Sequence, residues 1–301
     1  MSDSARGLPT SKPRFFWSWL IVLLPVLAFG GLWFYFRSNP SRPKISLYEA
    51  VLRHDADAIE WHVQAGASLD TVVAGHTALY RAASNADLKS LQALLKAGAS
   101  PNAEIKGKST PLQAAASAGS LECVKALIAA RAKVDAANAS GSTALHSAAS
   151  GGNPEIVRLL LDLGLPIDAR RSVDHATPLC DAASQGRLAC VRLLLDRGAK
   201  IDVSGFSGRT PLSLSILTHR RDVARELFDR GSDASKPDDA GVMPLGYALF
   251  VGDTDLVRAL IPKTKPITWR DRAGKGALYW ADEGRAPQEV VDELKRLGCT
   301  K

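Results

Sequence analysis

Apolar and small residues recur along this chain with a period of about 33 residues. The full pattern begins with Thr-Pro-Leu, continues with two small residues and a Gly, and then carries Val-x-x-Leu-Leu before Gly-Ala, and single copies depart from it, as at His219, which replaces the turn Gly. The first positions of the seven copies are separated by 33 or 34 residues, and they are Thr77, Thr110, Thr143, Thr177, Thr210, Met243 and Gly276. A fixed period of this length predicts stacked two-helix units rather than one globular core.

Each position of the repeat has a physical role in a helix pair. Thr110 precedes a Pro and caps the first helix, and the Pro fits the first helical position because its missing N–H has no intrahelical partner there. The small pair Ala115 and Ala116 lets neighbouring helices approach closely. Gly119 suits the tight turn that follows. The pattern that begins at Val124 forms the buried stripe of a second helix.

On these positions, residues 45–301 resemble the ankyrin repeat family. The resemblance implies an all-α solenoid of about eight helix-turn-helix units. Residues 46–70 and 276–301 follow the pattern less closely, which is expected of terminal units that face water on one side. His146 stands at the family's Thr-Pro-Leu-His position, so the resemblance implies that its ring makes a hydrogen bond to the backbone of a neighbouring loop.

Residues 15–36 are a different physical object, because this apolar stretch contains no charged residue. As a helix it would be roughly 33 Å long, enough to cross the hydrocarbon core of a bilayer. Trp and Tyr residues lie near both ends, as in membrane aromatic belts. The alternative is a cleaved signal peptide, but the stretch is long and no small-x-small cleavage site follows it. We therefore expect a tail (residues 1–14), a transmembrane helix (15–36), a linker (37–44) and a repeat domain (45–301).

The charge distribution bears on orientation and on partners. Residues 1–44 contain six Lys or Arg against one Asp, so they supply +5 of the chain's net +7 and leave about +2 for residues 45–301. The repeat domain therefore lacks the basic footprint of a nucleic-acid-binding protein. Basic residues flank the apolar stretch almost equally, and the positive-inside rule does not choose an orientation. Since a short basic tail is more easily retained than exported, we expect a single-pass protein of the cell membrane with its repeats on the non-cytoplasmic side, the periplasm in a bacterium.

Motifs for catalysis, metals and cofactors are missing from the sequence. It has no Cys-x-x-Cys, His-Glu-x-x-His or Gly-x-Ser-x-Gly. The stretch from Gly107 to Thr110 imitates the end of a phosphate loop, but Asn102 stands where that loop requires Gly. The four Cys residues show no disulfide or metal spacing and are interpreted as structural. We therefore expect no enzyme activity, no metal and no small-molecule cofactor.

A change in polarity along the repeats indicates where a protein partner binds. In ankyrin-like stacks, partners contact the turn tips and the exposed side of the first helices, which together form a concave face. After the small pair, the earlier copies carry small polar residues such as Ser117 and Ser150, whereas the later copies carry Leu217 and Phe250. Apolar and aromatic groups beside Arg are typical of interface hot spots. The candidate binding residues are Phe206, Arg209, Leu217, His219, Arg220, Phe250 and Trp269.

Two of these residues have a second interpretation. Phe250, Val251 and Trp269 could instead pack against the irregular last unit.

Taken together, these features of the sequence predict a membrane-tethered, non-catalytic protein-binding module that acts as a scaffold or sequesters its partner. Two alternatives are an immunity or inhibitor protein that neutralises a secreted effector at the membrane, and a structural subunit that oligomerises through the transmembrane helix.

Overall fold

The computed structural model describes residues 43–103 and 108–300. In this part of the chain, sixteen α-helices form eight consecutive pairs, numbered here as repeats 1 to 8. The pairs in order are α1 Leu47–Leu52 with α2 Ala56–Gln64, α3 Ala78–Ser84 with α4 Leu88–Lys96, α5 Pro111–Ser117 with α6 Leu121–Ala129, α7 Ala144–Gly151 with α8 Pro154–Asp162, α9 Pro178–Ser184 with α10 Leu188–Asp196, α11 Pro211–Leu217 with α12 Arg221–Asp229, α13 Pro244–Val251 with α14 Thr254–Leu260, and α15 Ala277–Glu283 with α16 Gln288–Arg296.

Short 3-10 turns at Phe206–Gly208 and Ile261–Lys263 complete the helical content of the described residues. The described ranges contain no β-strand, only two isolated bridges. The prediction of an all-α solenoid of about eight units is confirmed for this part of the molecule.

Local caps explain where the helices begin. The hydroxyl of Thr110 accepts a hydrogen bond from the backbone N–H of Gln113, and Thr210 caps α11 in the same way. Most second helices are capped by a short polar side chain, as Asp87 caps α4 and Asn153 caps α8. These bonds satisfy backbone donors that a helix start leaves without an intrahelical partner.

The core is a continuous stack of first helices. Each contacts the first helix of the repeat before it and of the repeat after it. The small pairs lie in these contacts and have no solvent exposure at Ala115, Ala116, Ala182 and Ala183. Since Ala has no side chain beyond Cβ, the helices pack closely, and the Leu at the third position of each motif fills the space behind them.

Hydrogen bonds between hairpin tips tie consecutive repeats together on one side of the stack. The backbone N–H of Ser172 donates to the carbonyl oxygen of Ser140 at 2.9 Å. Equivalent bonds run from Asp239 to Ser207 at 3.0 Å and from Arg272 to Ala240 at 2.8 Å. The tips of neighbouring repeats are therefore held in a defined register.

The ring of His146 links repeats 4 and 5 inside the core. Its Nδ1 accepts a hydrogen bond from the backbone N–H of Thr143 at 3.3 Å, and its Nε2 lies 3.2 Å from the carbonyl oxygen of Ala176 in the next hairpin. The bond to a neighbouring loop that the ankyrin resemblance implied is thus present. Gln113 occupies the equivalent position in repeat 3 and bonds to the carbonyls of Ala136 and Ser142.

All four Cys residues are buried, free thiols. Every described helix belongs to one compact unit, Leu47–Lys301. Across residues 43–103 and 108–300, no helix has the length and apolar character needed to cross a membrane. The apolar stretch of residues 15–36 lies outside the described residues, so the transmembrane helix stays a prediction.

Substituting His146 tests its bridging role. Burial lowers the pKa of His146 from 6.5 to about 4, so the folded state holds a neutral ring and the wild type loses stability as the pH falls below 6.5. We expect His146→Gln to fold, because Gln113 makes the same bonds in repeat 3. Between about pH 7 and pH 5, the free energy of unfolding should fall by about 1–2 kcal/mol less in this variant than in the wild type. Denaturant unfolding at both pH values measures this. An identical loss of stability in both proteins would contradict this role of the His146 ring. His146→Leu removes the hydrogen bonds and should lower the free energy of unfolding by about 1–3 kcal/mol at neutral pH.

Candidate functional site

The variable side chains of the first helices form one surface, here called the first-helix face. It consists of two positions three residues apart in each of α7, α9, α11, α13 and α15, which lie on the same side of a helix. These positions hold Ser147 and Ser150, Asp181 and Ser184, Leu214 and Leu217, Tyr247 and Phe250, and Trp280 and Glu283. The face therefore changes from polar in repeats 4 and 5 to apolar in repeats 6 and 7.

Phe206 and Arg209 lie at the hairpin end of α11. Phe206 is 57% exposed on the tip of repeat 6. The guanidinium carbon of Arg209 lies 5.8 Å from the centre of the Phe206 ring and 5.5 Å from the centre of the Tyr247 ring. Its Nε donates to the Tyr247 hydroxyl at 2.7 Å and lies 3.6 Å from the buried carboxylate of Asp238. Arg209 is thus fixed in position beside an exposed aromatic ring.

Tyr247 connects this arginine to the interior. Its hydroxyl donates to Oδ2 of Asp238, whose Oδ1 accepts from the backbone N–H groups of Ala240 and Val242. Burial and the hydrogen bond to Asp238 raise the pKa of Tyr247 to about 12, against the opposing effect of Arg209. Asp238 therefore organises its own hairpin and, through Tyr247, the position of Arg209.

Phe250 and Trp269 have different environments, which resolves the alternative left open by the sequence. Phe250 is 46% exposed and contacts Trp280 edge-to-face, with ring centres 6.0 Å apart. Trp269 is only 4% exposed. Its indole lies over Gly246, where an added Cβ would come within 2.9 Å of the ring. Trp269 is therefore a core residue and not part of the exposed surface, whereas Phe250 contributes to the first-helix face.

A second glycine brings the helices of repeats 7 and 8 together. An added Cβ at Gly284 would lie 1.8 Å from the carbonyl oxygen of Leu249 and 2.8 Å from the Cα of Phe250. Only a residue without a Cβ permits this approach of α15 to α13. The close approach sets Trp280 beside Phe250 and extends the apolar part of the face to the last repeat.

His219 and Arg220 lie at the opposite end of α11, in the turn that leads to α12. Both are exposed, but Arg220 is engaged with its own molecule: its Nε donates to the carbonyl oxygen of Ser184 at 3.3 Å. Arg187 makes the equivalent bond to Ser150 at 2.9 Å. The length of α11, about 10 Å, separates this turn from Phe206 and Arg209. The candidates therefore do not form a single cluster, and Arg220 serves to link repeats.

Repeat 5 contains an ionic cluster that sequence reasoning missed. The guanidinium of Arg171, in the hairpin, contacts both Asp174 at 2.9 Å and Asp181 at 3.1 Å. All three side chains are largely buried, and that of Asp181 is 13% exposed. The available signal was Asp181 itself, a charged residue at a position where repeats 3 and 4 carry Ala114 and Ser147.

The two carboxylates respond differently to this environment. Burial raises the pKa of Asp181 to about 7, against the opposing effect of Arg171, and nearby Asp174 raises it further. Burial also acts to raise the pKa of Asp174, but hydrogen bonds from the backbone N–H of Ala176 and from Arg171 bring it below its ordinary value. The guanidinium of Arg171 thus stabilises the ionised form of Asp174 and offsets the negative charge of Asp181 only in part.

Within the described ranges, no group of three or more His, Cys, Asp or Glu side chains is arranged to hold a metal ion. The site consists of a helical face with aromatic and aliphatic groups and fixed charges. Such a surface can bind another macromolecule.

Comparison with known proteins identifies the family. The protein-family model described as ankyrin repeats in three copies matches residues 103–171 and 165–238, and the family model of a single ankyrin repeat matches residues 74–106. These matches together extend over more than half of the chain, which belongs to the ankyrin repeat family. Ankyrin repeats are protein–protein interaction modules, and no enzyme family is indicated.

Solved structures agree with this assignment. The human ASB11 ankyrin repeat domain is 26% identical, with a TM-score of 0.63 over 74% of this chain and 98% of that one. The ankyrin repeat domain of Bcl-3, a member of the IkappaB protein family, is 29% identical, with a TM-score of 0.53 over 68% of this chain and 94% of that one. A search of curated proteins finds no match.

Replacing Asp181 by Asn tests the ionic cluster. The pKa of Asp181 is about 7 in the fold against 3.8 as the ordinary value, so the folded state holds the proton more tightly and the wild type loses stability as the pH rises from about 4 to 7. As the pH rises from about 5 to 7.5, we expect the free energy of unfolding of the wild type to fall by about 1–2 kcal/mol relative to that of Asp181→Asn. Urea titrations of both proteins at these pH values measure the difference, and parallel pH profiles would show that Asp181 is not perturbed.

Proposed function

We propose that this chain is a membrane-tethered module that binds a protein partner on the first-helix face of repeats 6 and 7 and has no catalytic role. The observation that carries the proposal is the apolar surface formed by the exposed Phe206 and Phe250 and the half-buried Leu217, whereas repeats 4 and 5 carry Ser150 and Ser184 at the position of Leu217 and Phe250.

Several features of this surface favour partner binding. Phe206 and Phe250 are rigid aromatic side chains that lose little conformational entropy when a partner covers them. Arg209 is already held by Tyr247 and Asp238, so its geometry is prepared before binding. Aromatic residues and Arg are enriched among the interface residues that contribute most binding energy. Trp269 is excluded from this surface by its burial.

The proposed tether is residues 15–36, whose length and lack of charge suit a bilayer-spanning helix. We place the repeat array on the non-cytoplasmic side, because a short basic tail favours retention of the N-terminus. The linker of residues 37–44 contains two Pro residues and is short, which would hold the array close to the membrane.

Removing the apolar groups tests the binding surface. We expect the double variant Phe206→Ala and Leu217→Ala to lose at least tenfold in affinity for a co-purifying partner, since each truncated anchor costs 1 kcal/mol or more. The measurement is quantitative pull-down of the full-length chain from its native membranes, with circular dichroism to verify folding.

A matched control removes exposed apolar groups from the ends of the array. Val72 is 50% exposed in the hairpin before α3, and Leu297 is 43% exposed in repeat 8. The variant Val72→Ala and Leu297→Ala should retain the partner. Equal retention by both double variants, with folding intact, would place the partner elsewhere.

Membrane topology is tested separately. We expect a C-terminal alkaline phosphatase fusion to be active in a bacterial host, because that enzyme requires export, and a C-terminal green fluorescent protein fusion to be dark. We also expect deletion of residues 15–36 to release the protein from sedimented membranes. The reverse fusion pattern would place the repeats in the cytoplasm, and soluble full-length protein would refute the tether.

A further inference from the structure

The charge balance of the first-helix face differs between its two arginine clusters. Arg209 faces one carboxylate, Asp238, and a neutral tyrosine hydroxyl. Arg171 faces two carboxylates, those of Asp174 and Asp181. When both acids are ionised, the Arg209 cluster is neutral and the Arg171 cluster carries one net negative charge. With Asp181 in its ionised form, the polar part of the face is acidic where it adjoins the apolar part.

Asp181 is the group that carries this uncompensated charge. Asp174 accepts two hydrogen bonds from the guanidinium of Arg171 and a third from the backbone N–H of Ala176. Asp181 has a single contact with Arg171, at 3.1 Å. A carboxylate in a largely buried position has few water molecules to stabilise it, so an additional cation nearby would be strongly favoured.

The register of the repeats places this charge next to the apolar groups. Asp181 on α9 occupies the same repeat position as Leu214 on α11. The two helices pack directly against each other, and packed helices have axes roughly 8–10 Å apart. One bound segment can therefore contact Asp181 and the side chains of Leu214 and Leu217 at the same time.

We propose that the partner segment is basic and apolar: a Lys or Arg side chain lies against the carboxylate of Asp181, while adjacent apolar side chains cover Leu214, Leu217 and Phe250. This inference rests on the proposed function and adds the chemistry of the partner. The bound cation completes the ionic cluster, and the two charges then share the two carboxylates.

Charge complementarity makes a specific prediction about affinity. Removing the negative charge at Asp181 eliminates the attraction for the partner's cation but leaves the apolar contacts in place. We expect about a tenfold loss of affinity for Asp181→Asn, the range of a charge-assisted hydrogen bond in a partly desolvated site. A matched control is Asp292→Asn, which removes an exposed acid on α16, far along the chain from this face.

The experiment uses a random peptide library displayed on phage as the probe. The library is panned on the full-length chain in mild detergent, and each enriched peptide is then measured by fluorescence anisotropy against the wild type, Asp181→Asn, Asp292→Asn, and the double variant Phe206→Ala and Leu217→Ala. In peptides that depend on Phe206 and Leu217, we expect an enriched Lys or Arg. Replacing that residue by Gln should weaken binding to the wild type about tenfold and leave binding to Asp181→Asn unchanged.

The outcomes separate this inference from the function it rests on. Peptides that depend on Phe206 and Leu217 but carry no basic residue, or bind Asp181→Asn as tightly as the wild type, would overturn the inference and leave the binding surface in place. A library that yields no peptide dependent on Phe206 and Leu217 would count against the proposed function itself. Concentration-dependent self-association that the double variant abolishes would identify a second copy of this chain as the occupant and would also overturn the inference.

Discussion

The close approach of successive first helices is the constraint on which this structure depends. In repeats 2 to 5 it rests on two adjacent Ala residues in each first helix, and Ala115, Ala116, Ala182 and Ala183 have no solvent exposure because both neighbouring repeats cover them. A larger side chain at these positions would force the helices apart. Once these positions and the Leu at the third position of each motif are committed to the stack, each first helix has only one side left for variable residues.

The first-helix face is a consequence of this arrangement. Because each repeat contacts only its neighbours, the residues on the face add up one repeat at a time. The face can therefore be polar in repeat 4, acidic in repeat 5 and apolar in repeats 6 and 7 without disturbing the core. Hydrogen bonds between hairpin tips, such as that from Asp239 to Ser207, hold the loops that carry Phe206 and Arg209 at defined positions beside it.

Much of the fold follows from local patterns. The Thr and Pro positions predicted the helix starts, and the small pairs with Leu predicted the buried side, because these signals act within a few residues. The implied backbone bond of His146 is present for a different reason: because the units repeat, its partner, Ala176, occupies a fixed place in the next repeat. The site was harder to predict. Trp269 was an open alternative, since a residue in a loop can face either way, and the structure buries it against Gly246.

The sequence by itself determined the repeat, the helix pairs and the change from small polar to apolar residues along the first helices, because each is a periodic property that can be compared position by position. Only the tertiary structure decided which charges meet. Arg171 lies in a hairpin and Asp181 on a helix, and Arg209 reaches Tyr247 in the next repeat. These contacts depend on loop conformation and on the packing of one repeat on another, and neither property is encoded in a residue's position within its own repeat.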